Sequence, residues 1–194
     1  ALTPMVFTGR LVKKWNAEKG APGKVCFVGP CAAKKLEAAR TSIRSDVDFV
    51  LTFEELAGMI TAKDIQFDAL EEEPWDSKAS PEAEGFAQSG GVAQAVTAYA
   101  KEIAPDRVVR TMYSEGLREC RKMLTQAQAG KLDGFLLEGM ACPGGCIAGA
   151  GTLQTAAKSK AALAKAMKET NVKKASESEF ARYRIDLEEI PGED

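Results

Sequence analysis

Two short apolar runs, each stopped by a turn that carries cysteine, constrain this chain more than any other feature. Val25 to Val28 leads into Gly29-Pro30-Cys31-Ala32-Ala33-Lys34-Lys35-Leu36-Glu37. Phe135 to Leu137 leads into Glu138-Gly139-Met140-Ala141-Cys142-Pro143-Gly144-Gly145-Cys146. Apolar runs of this length bounded by turn residues read as buried strands, so three thiols stand at strand ends, where an α/β protein builds its site.

The rest of the chain alternates in the same sense. Lys24 to Val28 is predicted as a strand, Ala32 to Arg40 as a helix and Asp48 to Leu51 as a second strand. Thr52 with Glu55 makes a capping box for a helix running to about Ile60. Gln66 to Gly85, acidic and proline-containing at Glu71-Glu72-Glu73-Pro74-Trp75, reads as a long connection. Ser89-Gly90-Gly91 opens a helix from about Val92 to Ile103. Arg107 to Tyr113 is a strand, Glu115 to Ala129 a helix with Leu117, Cys120, Met123 and Leu124 on one side, and Asp133 to Leu137 a strand. After Gly149-Ala150-Gly151-Thr152 comes an Ala- and Lys-rich helix to about Thr170, then a charged tail, residues 171–194, ending Ile190-Pro191-Gly192-Glu193-Asp194. The expected class is α/β, with parallel sheets flanked by helices.

At 194 residues, 45% hydrophobic and a net charge of −2, the chain has enough apolar content for one core or two small lobes without disulfides. A charge so close to zero, with Lys and Arg scattered, gives no footprint for nucleic acid or an anionic membrane. The apolar runs are far too short to span a bilayer, and no charged-then-apolar leader opens the sequence, so a cytoplasmic location is expected. Five cysteines without a secretion signal point to reduced thiols, some of them metal ligands. The opening Ala1-Leu2-Thr3-Pro4 has no initiator methionine. The expectation is that an element starts almost at once and that residues preceding Ala1 complete the site.

Cys142 and Cys146 lie four apart with Pro143, Gly144 and Gly145 between them, a spacing that lets the backbone fold tightly and turn amide N–H groups toward whatever the sulfurs bind. Thiolates need compensating positive charge, which Lys34, three residues after Cys31, would supply. Soft sulfur donors in a chain without histidine favour an iron–sulfur cluster or structural zinc over a hard cation. Zinc usually recruits paired Cys-x-x-Cys or Cys/His hairpins, and that spacing is missing here. Three ordinary buried cysteines remain a further reading, one that leaves two Gly/Pro-rich turns with charged flanks unexplained.

Pro30-Cys31-Ala32-Ala33-Lys34-Lys35-Leu36-Glu37 resembles the Pro-Cys-x-x-Lys-Lys-x-Glu motif of the iron-only ([FeFe]) hydrogenases, and Met140-Ala141-Cys142-Pro143-Gly144-Gly145-Cys146 resembles their Met-Ala-Cys-x-Gly-Gly-Cys motif. Between them, Asp46-Val47-Asp48-Phe49-Val50-Leu51-Thr52-Phe53-Glu54-Glu55-Leu56 and Ser89-Gly90-Gly91-Val92 are similar to two further stretches of that family, in the same order. The resemblance covers about Thr3 to Gly151. It implies a two-lobed domain, of which residues 1–170 form the C-terminal part, with a cofactor between the lobes. In that family four cysteines hold a [4Fe-4S] cubane, joined to a two-iron subcluster bearing CO, cyanide and a dithiolate, the H-cluster. By the same resemblance Cys31 and Cys142 are cubane ligands and Cys146 the bridging ligand. Lys34 hydrogen-bonds a cyanide, Met140 packs near the two-iron unit, and Gly144 and Gly145 shape the cofactor loop.

The implied reaction is reversible reduction of protons to H₂, with a ferredoxin or other electron carrier and hydrogenase maturation factors as partners. The family's Thr-Ser-Cys-Cys-Pro motif, source of a fourth cubane ligand, is expected upstream of Ala1, so the isolated chain is expected to be inactive. Gly29 and Ala32 depart from the common methionine and threonine, as in divergent branches. A non-catalytic [4Fe-4S] carrier or assembly protein, or an H₂-sensing module, on the same fold is the alternative. Cys26 and Cys120 read as small core residues, Glu37, Glu54 and Glu55 as cap and surface carboxylates, and Trp15 and Trp75 as packing residues.

Overall fold

The computed structural model of the chain describes residues 2–42, 46–73, 79–178 and 181. Trp75, residues 179–180 and residues 182–194, including Ile190-Pro191-Gly192-Glu193-Asp194, lie outside the described residues, and with them most of the expected tail. The chain divides into two compact units. The first takes in residues 2–71 and 150–153, the second residues 72–149 and 154–181.

In the first unit the element expected at the opening of the sequence is a helix: α1, Pro4–Glu18, with proline in its first turn, where a missing N–H costs nothing. Then follow β1 (Cys26–Val28), α2 (Ala33–Ala38), β2 (Phe49–Leu51) and α3 (Phe53–Ala62). β1 and β2 pair in parallel with Cys26 opposite Phe49, Phe27 opposite Val50 and Val28 opposite Leu51. The core is small: Met5, Val6 and Val47 are buried, with Leu2, Phe27, Ala38 and Val50 packed around them. Arg10 clamps it from the side, its guanidinium donating to both oxygens of Asp46 at 3.1 and 2.8 Å. The capping box at α3 forms as expected: the Glu55 amide donates to Thr52 Oγ1 at 3.1 Å, and the Thr52 amide to Glu55 Oε2 at 2.8 Å.

In the second unit come α4 (Pro81–Glu84), α5 (Gly91–Ile103), β3 (Arg110–Glu115), α6 (Leu117–Gln128), β4 (Phe135–Met140) and α7 (Ala156–Glu169). β3 and β4 pair in parallel over six residues, from Arg110 opposite Phe135 to Glu115 opposite Met140. Both strands run two to three residues further than the sequence pattern marks, so that Met140 is the last strand residue before the cysteine loop. Gly91 is fixed by crowding, since a Cβ there would stand 1.9 Å from the Gly85 carbonyl oxygen. Between Gln66 and Gly85 the long connection carries a short 3-10 turn at Phe67–Ala69 and the four-residue α4, capped by Ser80.

One expectation is corrected: Cys26, read as a core residue, is exposed. Its strand partner Phe49 is 58% exposed, so the β1/β2 pair leaves that edge uncovered among the described residues. Cys120 is half-buried, and its thiol donates to the Ser114 and Met140 carbonyls at 3.4 and 3.6 Å. No helix among the described residues is long and apolar enough to cross a membrane.

Candidate functional site

In the first unit the strand β1 delivers its cysteine through a short, well-tied turn. The Gly29 amide donates to Leu51 O at 3.0 Å, carrying the parallel pairing one residue past the strand. Pro30 O accepts from the Gly151 amide at 3.0 Å, and Cys31 O accepts from the Lys34 amide at 3.3 Å as α2 begins. Cys31 is left half-buried at the head of that helix. Lys34 Nζ bonds Glu37 Oε2 at 2.6 Å, one helical turn on, and Thr3 Oγ1 donates to the other oxygen of the same carboxylate. Burial alone would raise the Glu37 pKa, but the hydrogen bonds from Lys34 and Thr3 win and hold it below the usual carboxylate range. Glu37, expected to be a plain surface carboxylate, is therefore the joint between α1 and α2. The i,i+3 spacing from Lys34 was the signal available in the sequence. Next to it Lys35 Nζ reaches Glu55 at 2.8 Å and the Val50 carbonyl at 3.0 Å, tying α2 to the capping box.

In the second unit β4 ends in the loop that carries Cys142 and Cys146. Gly144 and Gly145 adopt φ of +91° and +94°, a region L side chains avoid. At Gly145 a side chain is also excluded by space: a Cβ would lie 2.6 Å from the Ser89 amide nitrogen and 2.7 Å from Ala87 O. That closeness is an antiparallel bridge, Gln88 to Gly145, with the Ser89 amide donating to Gly144 O at 3.3 Å. The amides expected to face a sulfur ligand are differently engaged. Gly144 N donates to the Glu115 carboxylate, Oε2, at 2.8 Å, and Gly145 N to Cys142 O at 2.9 Å, closing the turn on its own backbone.

Behind the loop stands Glu138, only 8% exposed, which no sequence motif singled out. Its two oxygens accept from the Gly90 amide at 2.9 Å and the Ala93 amide at 2.8 Å, so a β4 carboxylate caps the N-terminus of α5. Gln88 and Ser89, the residues that pair with the loop, lead straight into that helix. The loop is thus held on one side by the strand it leaves and on the other by the helix start that the same strand grips.

The structure gathers Met140, Cys142, Gly144, Gly145 and Cys146 on one loop, and Cys31 with Lys34 on one turn of the other unit. None of the five cysteines forms a disulfide. Among the described residues no three His, Cys, Asp or Glu side chains are grouped as a metal site, and the second loop by itself offers two thiols. The donor chemistry is nonetheless compatible with a sulfur-bound iron group: the sequence-predicted ligands Cys31, Cys142 and Cys146 are thiols, and the chain has no histidine. One buried oxygen beside the loop, Ser89 Oγ, has no hydrogen-bond partner among the described residues, as a wall built around a missing acceptor would leave it.

Residues 1–150 match the family described as the iron only hydrogenase large subunit, C-terminal domain. The periplasmic [Fe] hydrogenase large subunit of Nitratidesulfovibrio vulgaris is 31% identical over 186 residues, covering 77% of this chain and 44% of that protein. A probable cytosolic Fe-S cluster assembly factor of Aedes aegypti is 29% identical over 191 residues, covering 76% of this chain and 40% of that one. The chain therefore spans less than half the length of both relatives. In fold it is similar to an apo [FeFe]-hydrogenase of Chlamydomonas reinhardtii, with a TM-score of 0.71 at 20% identity over 93% of this chain and 63% of that one. Two parallel strand pairs ending in cysteine turns, and a match that runs through both turns, lead to one conclusion: the chain belongs to the iron-only hydrogenase large subunit, C-terminal domain family.

Proposed function

We propose that residues 1–170 are the C-terminal part of an iron-only hydrogenase catalytic domain, holding iron through Cys31, Cys142 and Cys146, with 171–194 as a tail. The observation that supports this most is the loop from Met140 to Cys146, which sets two thiols on a glycine turn at the end of a strand, inside the family match. When bound, a [4Fe-4S] cluster joined to a two-iron subcluster with CO, cyanide and dithiolate supplies reversible reduction of protons to H₂. The chain's own part is to bind and orient. Cys31 and Cys142 ligate the cubane, Cys146 bridges, and Met140 packs beside the loop. Lys34 spends one of its three N–H donors on Glu37, which leaves two for an anionic ligand such as cyanide. Gly144 and Gly145 let the loop close without a side chain in its wall.

The chain supplies three of the four cubane thiolates of the family pattern, so by itself it is expected to turn over no H₂. Electrons reach the intact protein from a ferredoxin-type carrier, hydrogenase maturation factors install the two-iron unit, and the location is cytoplasmic. The similarity to an Fe-S cluster assembly factor favours a second reading, a [4Fe-4S] carrier or assembly protein without hydrogen chemistry. Infrared spectroscopy separates the two, on intact protein made anaerobically with the maturation factors. Intrinsic CO and cyanide bands that vanish in Cys146→Ser establish the hydrogenase reading. A protein loaded with [4Fe-4S] but silent in that region is a carrier or scaffold.

A further inference from the structure

Among the described residues, Ser89 Oγ is the buried side-chain oxygen left without a partner. A hydroxyl sealed from water and bonded to nothing forfeits its hydration without compensation, so native structures seldom leave one idle. Its position is specific. The Ser89 amide donates to Gly144 O, its neighbour Gln88 is bridged to Gly145, and both glycines lie between Cys142 and Cys146. On its other side Gly90 enters α5, with its amide fixed by Glu138. Backbone on both flanks therefore holds Ser89 against the cysteine loop, and the hydroxyl has little freedom to find solvent. The acceptor that suits a lone buried O–H packed against a loop that carries two thiols is anionic sulfur.

We infer that Ser89 Oγ–H donates a hydrogen bond to a cysteinate or bridging sulfide of the iron–sulfur group held by Cys142 and Cys146, and so raises its reduction potential. This rests on the proposed cluster binding and adds a residue to it. The direction follows from charge: reduction adds an electron to the sulfurs, and a donor hydrogen bond stabilises the more negative state more than the less negative one.

The test is a potentiometric titration, followed by electron paramagnetic resonance, of the intact protein reconstituted with iron and sulfide. Wild type, Ser89→Ala and Ser89→Thr are compared, with Cys142→Ser as the loading control. Ser89→Ala is expected to hold the same iron per chain but to show a reduced-to-oxidised ratio about tenfold lower at a fixed potential, a shift of about −59 mV for a one-electron couple. Ser89→Thr, which keeps the hydroxyl, is expected to stay near wild type. A full cluster whose midpoint is unmoved in Ser89→Ala overturns the inference and leaves the cluster reading standing. Lower iron content in Ser89→Ala with an unchanged midpoint also overturns it, because the hydroxyl then serves only the loop's shape. Wild-type protein whose iron content does not depend on Cys142 overturns the cluster reading itself.

Discussion

Replacing Glu138 by glutamine should loosen the start of α5 and with it one wall of the cysteine loop. The carboxylate is 8% exposed and accepts two backbone amides, Gly90 N at 2.9 Å and Ala93 N at 2.8 Å. Glutamine has the same shape, but it presents one oxygen and one NH₂ group. One amide keeps an uncharged acceptor, while the other faces a donor and is left unpaired in a buried place. The bond that survives weakens by about 1 kcal/mol and the lost one costs about 2 kcal/mol, giving about 3 kcal/mol in total. The positive end of α5 also loses its compensating charge. At about 1.4 kcal/mol per decade, 3 kcal/mol is about a hundredfold in a local opening equilibrium. Amide hydrogen exchange read at Gly90 and Ala93 measures it, with the α3 amides of the other unit as an internal reference. Protection at the two amides is expected to fall about a hundredfold while α3 is unchanged. A fall smaller than about threefold would show that Glu138 does not hold the helix start and refute the reasoning.

Three further outcomes follow from the same structure. The Glu37 pKa is depressed in the folded chain, so its contribution to stability is present above the ordinary carboxylate pKa and lost as pH falls through the depressed value. Wild type should therefore lose more stability than Glu37→Gln between neutral and acid pH, and parallel stability–pH curves for the two in chemical denaturation would contradict this. Gly145→Ala adds a Cβ 2.6 Å from Ser89 N at a φ of +94°, with an expected cost of about 2 kcal/mol and a drop of about 8–16 °C in the melting midpoint of the second unit. A midpoint within a degree of wild type would show that the loop tolerates a side chain at this position and refute the crowding argument. Finally, Cys142→Ser and Cys146→Ser should reduce bound iron in the reconstituted intact protein, and Cys26→Ser, on the exposed edge of β1, should leave it unchanged. Equal loss in all three would remove the basis for assigning ligands to the two motifs.

Much of this protein is written in short stretches of its sequence. The capping box of Thr52 and Glu55 spans three residues, the two cysteine turns announce themselves by glycine and proline after an apolar run, and α5 begins where Ser89-Gly90-Gly91 said it would. Each of these depends on neighbours within one turn of backbone, which is the range over which propensity and spacing act. That the opening element, α1, is a helix escaped because Gly9 interrupts its pattern. That glycine has a tertiary reason, since a Cβ there would lie 2.8 Å from the Asp46 carbonyl oxygen. The exposure of Cys26 escaped for the converse reason: alternation in a strand says which residues share a face, and only packing says whether anything covers it. Glu138 reaches amides 45 and 48 residues away, and Glu37 meets Thr3 across 34. The Gly144 amide turns to Glu115, and Ser89 Oγ has no partner among the described residues. Sequence thus determined most of the elements and where the sulfur lies along them. Tertiary structure alone decided which carboxylates and amides brace those sulfurs, because hydrogen-bond partners brought together by chain folding leave no mark on local periodicity.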